Sequence, residues 1–286
     1  MKKILLLVST ALIMLSFLIL FAFLTYKDDK LHVVFCDVGQ GDAIFIRTPH
    51  EADILIDGGP DAKVLECLNS HMPFWDRSID LVIMTHPDAD HSTGLISVVE
   101  RYKIEKFYTQ AIPGSTDVYK RLEASLAKKN LSAKYLHSGN RISGKDGFSM
   151  ITLWPSLEEI SKIDQNRTNL RLNEVSVIEL LKYGEFSVLL TGDAGYDVMN
   201  QIADSARSIN ILKVPHHGSK TGMSERFLWT SSPEISVISS GEGNSYGHPA
   251  KEILLMLENQ DSKILRTDKM GDIEIISDGK MYYLKD

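Results

Sequence analysis

The sequence predicts an α/β domain in which two β-sheets pack back to back with helices outside, preceded by one membrane-spanning helix. Three observations support this prediction. Residues 4–26 form an uncharged apolar run, strand-like and helix-like segments alternate from residue 31 onward, and histidines and aspartates follow several of the strands. The 286 residues, 43% hydrophobic and 24% charged, are typical of a globular protein and argue against a disordered chain, a collagen or a coiled coil.

The run from Ile4 to Tyr26 contains no charge, and Lys2 and Lys3 precede it. At a rise of about 1.5 Å per residue it is about 34 Å long, enough to cross the hydrocarbon core of a bilayer. A cleaved secretory signal is the alternative, but the run exceeds the usual ~7–15 apolar residues and lacks a small-x-small cleavage site. We expect an uncleaved anchor and linker over residues 1–30. Because both early lysines favour the cytoplasmic side, the rest is expected outside the cytoplasm.

Charge and cysteine content limit the partners of the remaining domain. The net charge of the chain is −7, and removal of residues 1–26, which hold two lysines and no acids, leaves −9. An acidic domain binds nucleic acid poorly without metals or a local basic patch, because phosphate contacts need lysine and arginine. The two cysteines, Cys36 and Cys67, form either a disulfide or buried free thiols, and their spacing is unlike that of a zinc ribbon.

Apolar segments bounded by turn residues predict strands, and segments with helical spacing predict helices. The expected strands cover residues 31–37, 43–46, 53–57, 81–84, 148–153, 175–181, 187–190, 211–214, 235–239, 264–266 and 273–276, and the expected helices 61–70, 92–101, 117–129, 196–205 and 250–259. The polar stretch 158–173 is expected to be a loop. Strands with helices between them in both halves predict one domain over residues 31–286.

The strongest chemical signal is the segment Thr-His-Pro-Asp-Ala-Asp-His at residues 85–91, directly after an apolar strand. Crowded carboxylates and imidazoles repel or go unsatisfied unless a cation lies among them. In an extended loop His86 and Asp88 point the same way, whereas the adjacent Asp90 and His91 can diverge toward a second ion. The alternative is a polar surface loop in which Asp90 caps the following helix.

Three further strand ends carry similar side chains. Asp193 follows the strand 187–190, His216 and His217 follow the strand 211–214, and His248 precedes Pro249 in a later loop. Each has an ordinary alternative, such as a turn former, a solvated loop or a helix entry. The segment 85–91 and these three sites are all expected at one edge of a covered sheet. Four ordinary explanations would have to coincide there, so a metal site is favoured.

The ordered motifs resemble the metallo-β-lactamase superfamily, and within it the hydrolase domain of the competence DNA-uptake family ComEC. The motifs are Asp-Val-Gly-Gln-Gly-Asp (37–42), Leu-Ile-Asp-Gly-Gly (55–59), the 85–91 segment, Leu-Leu-Thr-Gly-Asp (189–193), Val-Pro-His-His-Gly-Ser (214–219), Asn-Ser-Tyr-Gly-His-Pro (244–249) and Arg-Thr-Asp (266–268) with Gly271. The resemblance covers residues 31 to about 280 and implies an αββα sandwich with one or two metals at the sheet edge.

Position by position, the resemblance implies ligands for two metals. The first metal would be held by His86 and Asp88, the second by Asp90 and His91, and Asp193 would bridge them. One histidine of the pair 216–217 would complete the second site, and His217 is expected. We expect Asp90, His216 and His248 to act in catalysis, with His216 or His248 contacting the scissile phosphate or donating a proton. The remaining motif aspartates are expected to brace loops or ligands: Asp37, Asp42, Asp57 and Asp268.

The chain departs from the superfamily pattern at the first metal. Most members have a histidine where Asp88 stands and another shortly before the strand that leads to the bridging aspartate, but residues 172–176 contain none. The first site is therefore rich in oxygen ligands, which favours manganese or magnesium over zinc. We expect two divalent ions, with manganese favoured and zinc possible.

The expected reaction is hydrolysis of a phosphodiester by a metal-bound hydroxide. The resemblance implies DNA as substrate; a teichoic-acid or phosphocholine diester of the cell envelope is the alternative, and a non-catalytic domain that binds DNA or a partner is a third. One predicted span, residues 4–26, cannot form the multi-helix pore of the competence channel. The chain is therefore expected to be a membrane-tethered relative of its hydrolase portion, working beside a separate channel.

Overall fold

The strands assemble into two large sheets and one small pair in the computed structural model, which describes residues 2–26, 28–165 and 172–285, and the central strands of the large sheets are buried on both faces. The strands are β1 (Leu31–Phe35), β2 (Ile44–Arg47), β3 (Asp53–Ile56), β4 (Ser78–Ile79), β5 (Leu81–Met84), β6 (Lys103–Ile104), β7 (Phe107–Thr109), β8 (Ala133–Tyr135), β9 (Arg141–Ser143), β10 (Phe148–Trp154), β11 (Ile178–Tyr183), β12 (Phe186–Leu190), β13 (Ile211–Lys213), β14 (Ile235–Ile238), β15 (Lys263–Arg266), β16 (Ile273–Ser277) and β17 (Tyr282–Leu284).

The helices lie outside the sheets or precede them. They are α1 (Lys2–Tyr26), α2 (Val64–His71), α3 (Ala89–Arg101), α4 (Asp117–Lys128), α5 (Leu157–Gln165), α6 (Tyr196–Ile202), α7 (Glu225–Ser231), α8 (Lys251–Glu258) and α9 (Thr267–Met270). Short 3₁₀ segments occupy Leu172–Val175, Ala203–Ala206 and Pro215–Gly218.

The first sheet has the strand order β17-β16-β1-β2-β3-β5-β7-β8, and the second has the order β15-β14-β13-β12-β11-β10-β9. Strands β3, β5, β7 and β8 run parallel, as do β12 to β15. Parallel neighbours end at the same edge, so loops that are far apart in sequence meet there. Strands β4 and β6 form a separate small pair.

The core has three layers that follow from strand alternation. Phe35 and Ile83 of the first sheet and Val188 and Leu190 of the second belong to the cluster between the sheets. Two outer clusters lie where helices cover the sheets, one with α2 to α4 and the other with α6 to α8. Each fully buried side chain of this size contributes about 1.5–3 kcal/mol. The predicted αββα sandwich is confirmed.

Helix α1 is long and apolar enough to cross a membrane: residues 2–20 have a mean hydropathy of 2.5, and none of this span is buried within the protein. Length and composition therefore allow the predicted span. A signal sequence near the N-terminus meets the same criterion of length and composition.

Three helices, α5, α7 and α9, occur where the sequence did not predict them. The expected loop 158–173 is wrong over its first part, because α5 covers residues 157–165; residues 166–171 lie outside the described part of the chain. On α5, Lys162 forms ion pairs with Glu158 at 2.7 Å and with Glu159 at 2.9 Å. The polar composition that predicted a loop therefore belongs to a helix whose charged side chains pair one turn apart. Helix α7 was also missed; the Ser224 hydroxyl caps it at the Phe227 N–H.

Cys36 and Cys67 form a disulfide, with Cα atoms 5.8 Å apart. Of the two alternatives left open by the sequence, the structure therefore has the disulfide. It joins the residue after β1 to helix α2 across a sequence separation of 31. Closing a loop of this size stabilises a fold by about 3–4 kcal/mol in the chain-entropy account.

Glu179 is a buried acid on β11, on the strand face shared with Val177 and Leu181 of the inter-sheet core. Its Oε1 accepts a hydrogen bond from the Thr152 hydroxyl at 2.5 Å, and its Oε2 has no partner among the residues that the structure describes. Burial raises the pKa of Glu179 to about 8, against the smaller opposing effect of the Thr152 hydrogen bond. The folded state thus favours the protonated carboxyl.

We predict that Glu179→Gln flattens the dependence of stability on pH. The folded-state pKa lies above the unfolded value, so the contribution of Glu179 is fully present below pH 4.5 and is lost as pH rises through about 8. The neutral Gln does not titrate, so the free energy of unfolding of the variant should rise relative to that of wild type by on the order of a few kcal/mol between these two pH values. Urea unfolding of both proteins from pH 5 to 9 measures the difference; parallel curves would contradict the assignment.

Candidate metal centre

The predicted site residues stand at the carboxyl ends of strands from both sheets. His86, Asp88, Asp90 and His91 lie in the loop after β5 and the first turn of α3. Asp193 follows β12, and His216 and His217 follow β13. Because β12 and β13 are parallel neighbours, Asp193 and the two histidines reach the same edge.

Helix α3 leaves its acidic side chains available to the site. Asp88 occupies the N-cap position with an extended backbone, and its side chain makes no capping hydrogen bond. Asp90 lies inside the first turn and faces His217, with Oδ2 3.4 Å from Nε2 of that ring. The alternative in which Asp90 caps the helix therefore does not describe the structure.

Four ligand atoms converge at the centre. One nitrogen or oxygen from each of Asp90, His91, Asp193 and His217 lies within 4.8 Å of all the others. Oδ1 of Asp193 is 3.2 Å from Nε2 of His91 and 3.5 Å from Nε2 of His217. Asp193 thus stands between the two rings.

The residues assigned to the first metal lie beside this group. Nε2 of His86 is 3.6 Å from Oδ2 of Asp88, and the His86 and His91 ring centroids are 4.2 Å apart. His216 lies at the rim, with Nε2 3.6 Å from Oδ2 of Asp193. Oδ1 of Asp193 therefore faces His91 and His217, and Oδ2 faces His216.

His248 and Tyr246 extend the site outward. The His248 and His216 ring centroids are 5.8 Å apart, and the ring of Tyr246 stacks on His248 at 5.8 Å with a 26° interplanar angle. Asn244 fixes this loop, because its amide donates to the His248 carbonyl at 2.6 Å and its oxygen accepts from the His248 N–H at 3.0 Å.

Buried aspartates orient the two central histidines. Asp57 accepts Nδ1–H of His91 at 2.8 Å and also the N–H and hydroxyl of Thr85, each at 2.7 Å. Nδ1 of His217 is 3.0 Å from the Ser239 carbonyl and 3.3 Å from Oδ1 of Asp42. Both rings therefore present Nε2 to the centre, as metal-ligating histidines do when an outer partner holds the other nitrogen.

Lys213 is a supporting residue that the sequence reasoning missed. Its side chain is fully buried, and its ammonium lies 2.9 Å from Oδ2 of Asp42. The sequence feature that could have revealed its role is the position of a single lysine inside the apolar run Ile211–Val214, because a buried charge needs a partner. The other two motif aspartates brace loops away from the centre: Asp37 accepts from Gly39 N–H, and Asp268 pairs with Arg266.

The backbone at His216 and His217 is strained. Both residues have left-handed φ angles, 51° and 53°, which cost non-glycine residues about 1–3 kcal/mol each. The Gly192 carbonyl holds the turn by accepting the His216 N–H at 3.1 Å. This turn directs two adjacent imidazoles to the same edge, whereas an extended strand would send them to opposite faces.

The donor set fits a divalent cation. Nε2 of His86, His91 and His217 and Oδ1 of Asp193 are buried without a hydrogen-bond partner in the described chain. Several such atoms at one point would cost about 1–3 kcal/mol each if nothing coordinated them. Imidazole nitrogens and carboxylate oxygens are ligands for manganese, iron and zinc.

Protons and carboxylates compensate each other in this cluster. Burial opposes charging of His91, but Asp193 and Asp57 raise its pKa well above the ordinary value, and in the same way Asp193 and Asp42 raise the pKa of His217 to about 9. Burial would raise the pKa of Asp193, yet His217 and His91 hold it well below the usual range. A divalent cation would take the place of the imidazolium protons.

The two outer imidazoles behave in the opposite way. Burial lowers the pKa of His216 against the opposing charge of Asp193, and burial lowers the pKa of His248 with smaller contributions from the neighbouring imidazoles. Both rings are therefore neutral at neutral pH. Each has one nitrogen to donate a hydrogen bond and one to accept.

A groove opens beside the centre, with a volume of about 690 Å³. Asp88, Asp193 and His216 line this groove together with Tyr196 and Lys220. The sequence did not indicate a role for Tyr196 or Lys220.

Comparisons with known proteins agree with this geometry. A sequence model of the Metallo-beta-lactamase superfamily matches residues 36–116, which include the 85–91 segment. ComE operon protein 3 of Bacillus subtilis is 25% identical over 263 residues, covering 83% of this chain and 32% of its own length. Competence protein ComA of Neisseria gonorrhoeae is 27% identical over 270 residues, covering 90% of this chain and 34% of its own length.

The fold is shared with solved structures. The metallo-beta-lactamase fold protein YhfI from Bacillus subtilis superposes with a TM-score of 0.56 at 11% identity, covering 82% of this chain and 95% of that protein. The chain therefore has the metallo-β-lactamase fold, matches the superfamily model over residues 36–116, is similar to ComEC-family competence proteins and spans about a third of their length. The match to the superfamily model and the Asp/His cluster support the binding of divalent metal and a metal-dependent hydrolase activity.

We predict that metal binding releases protons and strengthens as pH rises. Because the pKa values of His91 and His217 are raised, both rings carry protons at pH 7 that a metal must displace, and the dependence for His217 extends to about pH 9. Titration calorimetry of chelated protein with Mn²⁺, in buffers of different ionisation heat, should give about two protons released. Asp57→Asn should reduce the number of protons released, because it removes a carboxylate that raises the pKa of His91. Binding enthalpies of Mn²⁺ that do not depend on the buffer would contradict the prediction.

Proposed function

We propose that this metallo-β-lactamase domain is a metal-dependent phosphodiesterase that cuts DNA. The observation that carries the proposal is the convergence of Asp90, His91, Asp193 and His217 at the edge of an open groove. The relatives named for competence, and Recombination protein 2 of Haemophilus influenzae at 28% identity over 248 residues, support DNA as the substrate.

We propose two divalent ions, manganese by preference. His86, Asp88 and Asp193 would hold the first, and Asp90, His91, Asp193 and His217 the second. Oxygen ligands outnumber imidazoles at the first position, which favours a harder ion than zinc. When bound, the ions supply the positive charge that activates water near neutral pH and stabilises charge developing on the phosphoryl group.

The protein groups around the ions have separate roles. Asp57 and Asp42 keep the rings of His91 and His217 in one tautomer, so that Nε2 always faces the centre. His216, neutral and at the rim, is placed to donate a hydrogen bond to a phosphate oxygen. His248 lies one ring further out, where its neutral ring is placed to donate a hydrogen bond toward the leaving oxygen, which takes its proton from solvent.

The outer rings favour a nucleotide over a small envelope diester. Tyr246 is 71% exposed, and one face of its ring stacks on His248 while the rest is open to solvent. A base next to the scissile phosphate could stack on that open face, as in single-strand binding proteins. Since stacking does not read sequence, the proposed substrate is single-stranded DNA of any sequence.

We also propose that α1 tethers residues 31–286 to the outer face of the cell membrane. The Cys36–Cys67 disulfide supports this location, because disulfides persist in oxidising compartments. On this proposal the domain would act beside a separate DNA channel.

We predict that detergent-solubilised full-length protein, chelated and reloaded with Mn²⁺, cuts single-stranded DNA and bis-p-nitrophenyl phosphate. Asp193→Ala should reduce both rates by at least about 100-fold, because it removes the carboxylate shared by both ions. Asp261→Asn, an exposed carboxylate after α8, is the matched control and should retain the wild-type rates.

Each outcome separates the candidate functions. Cleavage of the small diester without cleavage of either DNA form would favour the envelope phosphodiester. Binding of DNA without turnover would support the non-catalytic alternative. Equal or better rates after reloading with Zn²⁺ would refute the manganese preference, and full activity of Asp193→Ala would refute the two-metal site.

We predict that Tyr246 contributes to DNA affinity through stacking. Tyr246→Ala should raise KM for single-stranded DNA by about 5- to 150-fold, the equivalent of ~1–3 kcal/mol, and Tyr246→Phe should keep the wild-type value. An oligomer of tetrahydrofuran abasic residues tests the cause: its KM should not change with Tyr246→Ala. Tyr135→Ala, at an exposed tyrosine on β8, is the control; an equal effect on the abasic oligomer would exclude stacking.

A further inference from the structure

A second group of metal-ligating side chains surrounds the disulfide. One ligand atom from each of Cys67, His71 and Asp272 lies within 4.8 Å of the others. Cys36, bonded to Cys67, brings a second sulfur to the same place. The group joins the end of β1, helix α2 and the residue before β16, and it shares no residue with the Asp193 centre.

The imidazole and the carboxylate of this group are already oriented. Nε2 of His71 is 3.1 Å from Oδ2 of Asp272, while Nδ1 is 3.1 Å from Oε2 of Glu274. The Asp37 N–H donates to Oδ1 of Asp272 at 2.7 Å, which leaves Oδ2 directed at the histidine. A histidine with one nitrogen held by a carboxylate and the other facing further donors has the arrangement typical of a metal ligand.

Glu274 itself is held from two sides. Its Oε1 is 2.7 Å from Nδ1 of His32, and its Oε2 is 2.9 Å from the Lys285 ammonium. The carboxylate that orients His71 is therefore fixed by partners on β1 and beyond β17. Such an outer network is what distinguishes a built site from a chance meeting of polar side chains.

We propose that reduction of the Cys36–Cys67 disulfide creates a structural zinc site with Cys36, Cys67, His71 and Asp272 as ligands. Two thiolates, one imidazole and one carboxylate match the four-coordinate sites that zinc favours. At Zn–S bonds of about 2.3 Å, two tetrahedral sulfurs lie roughly 3.8 Å apart, so the cysteine side chains must rotate away from each other. The oxidised pair provides no thiolate, which makes the site dependent on redox state.

The redox step is ordinary thiol–disulfide exchange. A dithiol reductant passes two electrons and two protons to the disulfide, leaving Cys36 and Cys67 as thiols and becoming a disulfide itself. Zinc binding then releases both thiol protons. Either link, covalent or through zinc, connects the end of β1 to α2. On the outer face of the membrane the disulfide is the resident form, and zinc replaces it only where an extracytoplasmic dithiol reductant reaches the protein. The proposal is independent of the hydrolase activity.

Cobalt reports on this site alone. The chain has two cysteines and the Asp193 centre contains neither, so a thiolate-to-cobalt charge-transfer band can arise only here. Full-length protein in detergent, reduced with a trialkylphosphine and checked for two free thiols by mass spectrometry, should show this band on titration with Co²⁺. The intensity of the charge-transfer band should correspond to one bound Co²⁺ per chain. Addition of Zn²⁺ should remove the band, and the oxidised protein should not show it.

Variants test the other two ligands. His71→Ala and Asp272→Asn should each weaken cobalt binding, measured by the charge-transfer band, by at least about tenfold, and Glu274→Gln by about 10- to 100-fold. Asp261→Asn is the control and should bind as wild type. The proposal is overturned if reduced, folded protein shows no band, or if the band is unchanged in both His71→Ala and Asp272→Asn. Loss of helical circular dichroism on reduction that zinc does not restore would overturn it as well.

Discussion

The constraint on which the site depends is the concentration of buried charge where the two sheets end. Asp57, Asp42, Asp193, His91 and His217 are all withdrawn from water at that edge. Such a group is stable only if every lone pair and proton has a partner, because isolated buried charges are very costly. Protons on the imidazoles balance the charge of the carboxylates in one state, and a divalent ion would balance that charge and also coordinate the unpartnered Nε2 and Oδ1 atoms in another.

The surrounding structure serves this requirement at several levels. Lys213 neutralises Asp42 from inside β13, so that the aspartate can orient His217 without leaving a buried negative charge alone. The left-handed turn at His216 and His217 places two adjacent rings at one edge and divides their roles: His217 is buried at the centre and His216 lies at the rim. Packing of the two sheets stabilises the strained loop that carries the chemistry.

The sequence could predict the fold and the central residues because both leave local signals. Apolar strands, glycine turns and histidines or aspartates directly after strands are visible without coordinates, and they indicated two packed sheets with a metal site at their edge. The resemblance to the superfamily then selected Asp90, His91, Asp193 and His217 as one group. The pairing of Lys213 with Asp42 depends on register between distant loops, so spacing along the chain could not reveal it. Short edge strands such as β8, β9 and β17 carry too few residues for a periodic signal.

The pairing of strand β1 in the first sheet affects how the chain folds during synthesis. Strand β1 pairs on one side with β2 and on the other with β16, whose residues Ile273–Ser277 come more than 230 positions later. During synthesis β1 therefore presents an unpaired hydrogen-bonding edge until nearly the whole domain has left the ribosome. Contacts this distant in sequence slow folding and leave exposed edges at risk of aggregation. Production of the domain should depend on chaperones or slow translation more than its stability suggests.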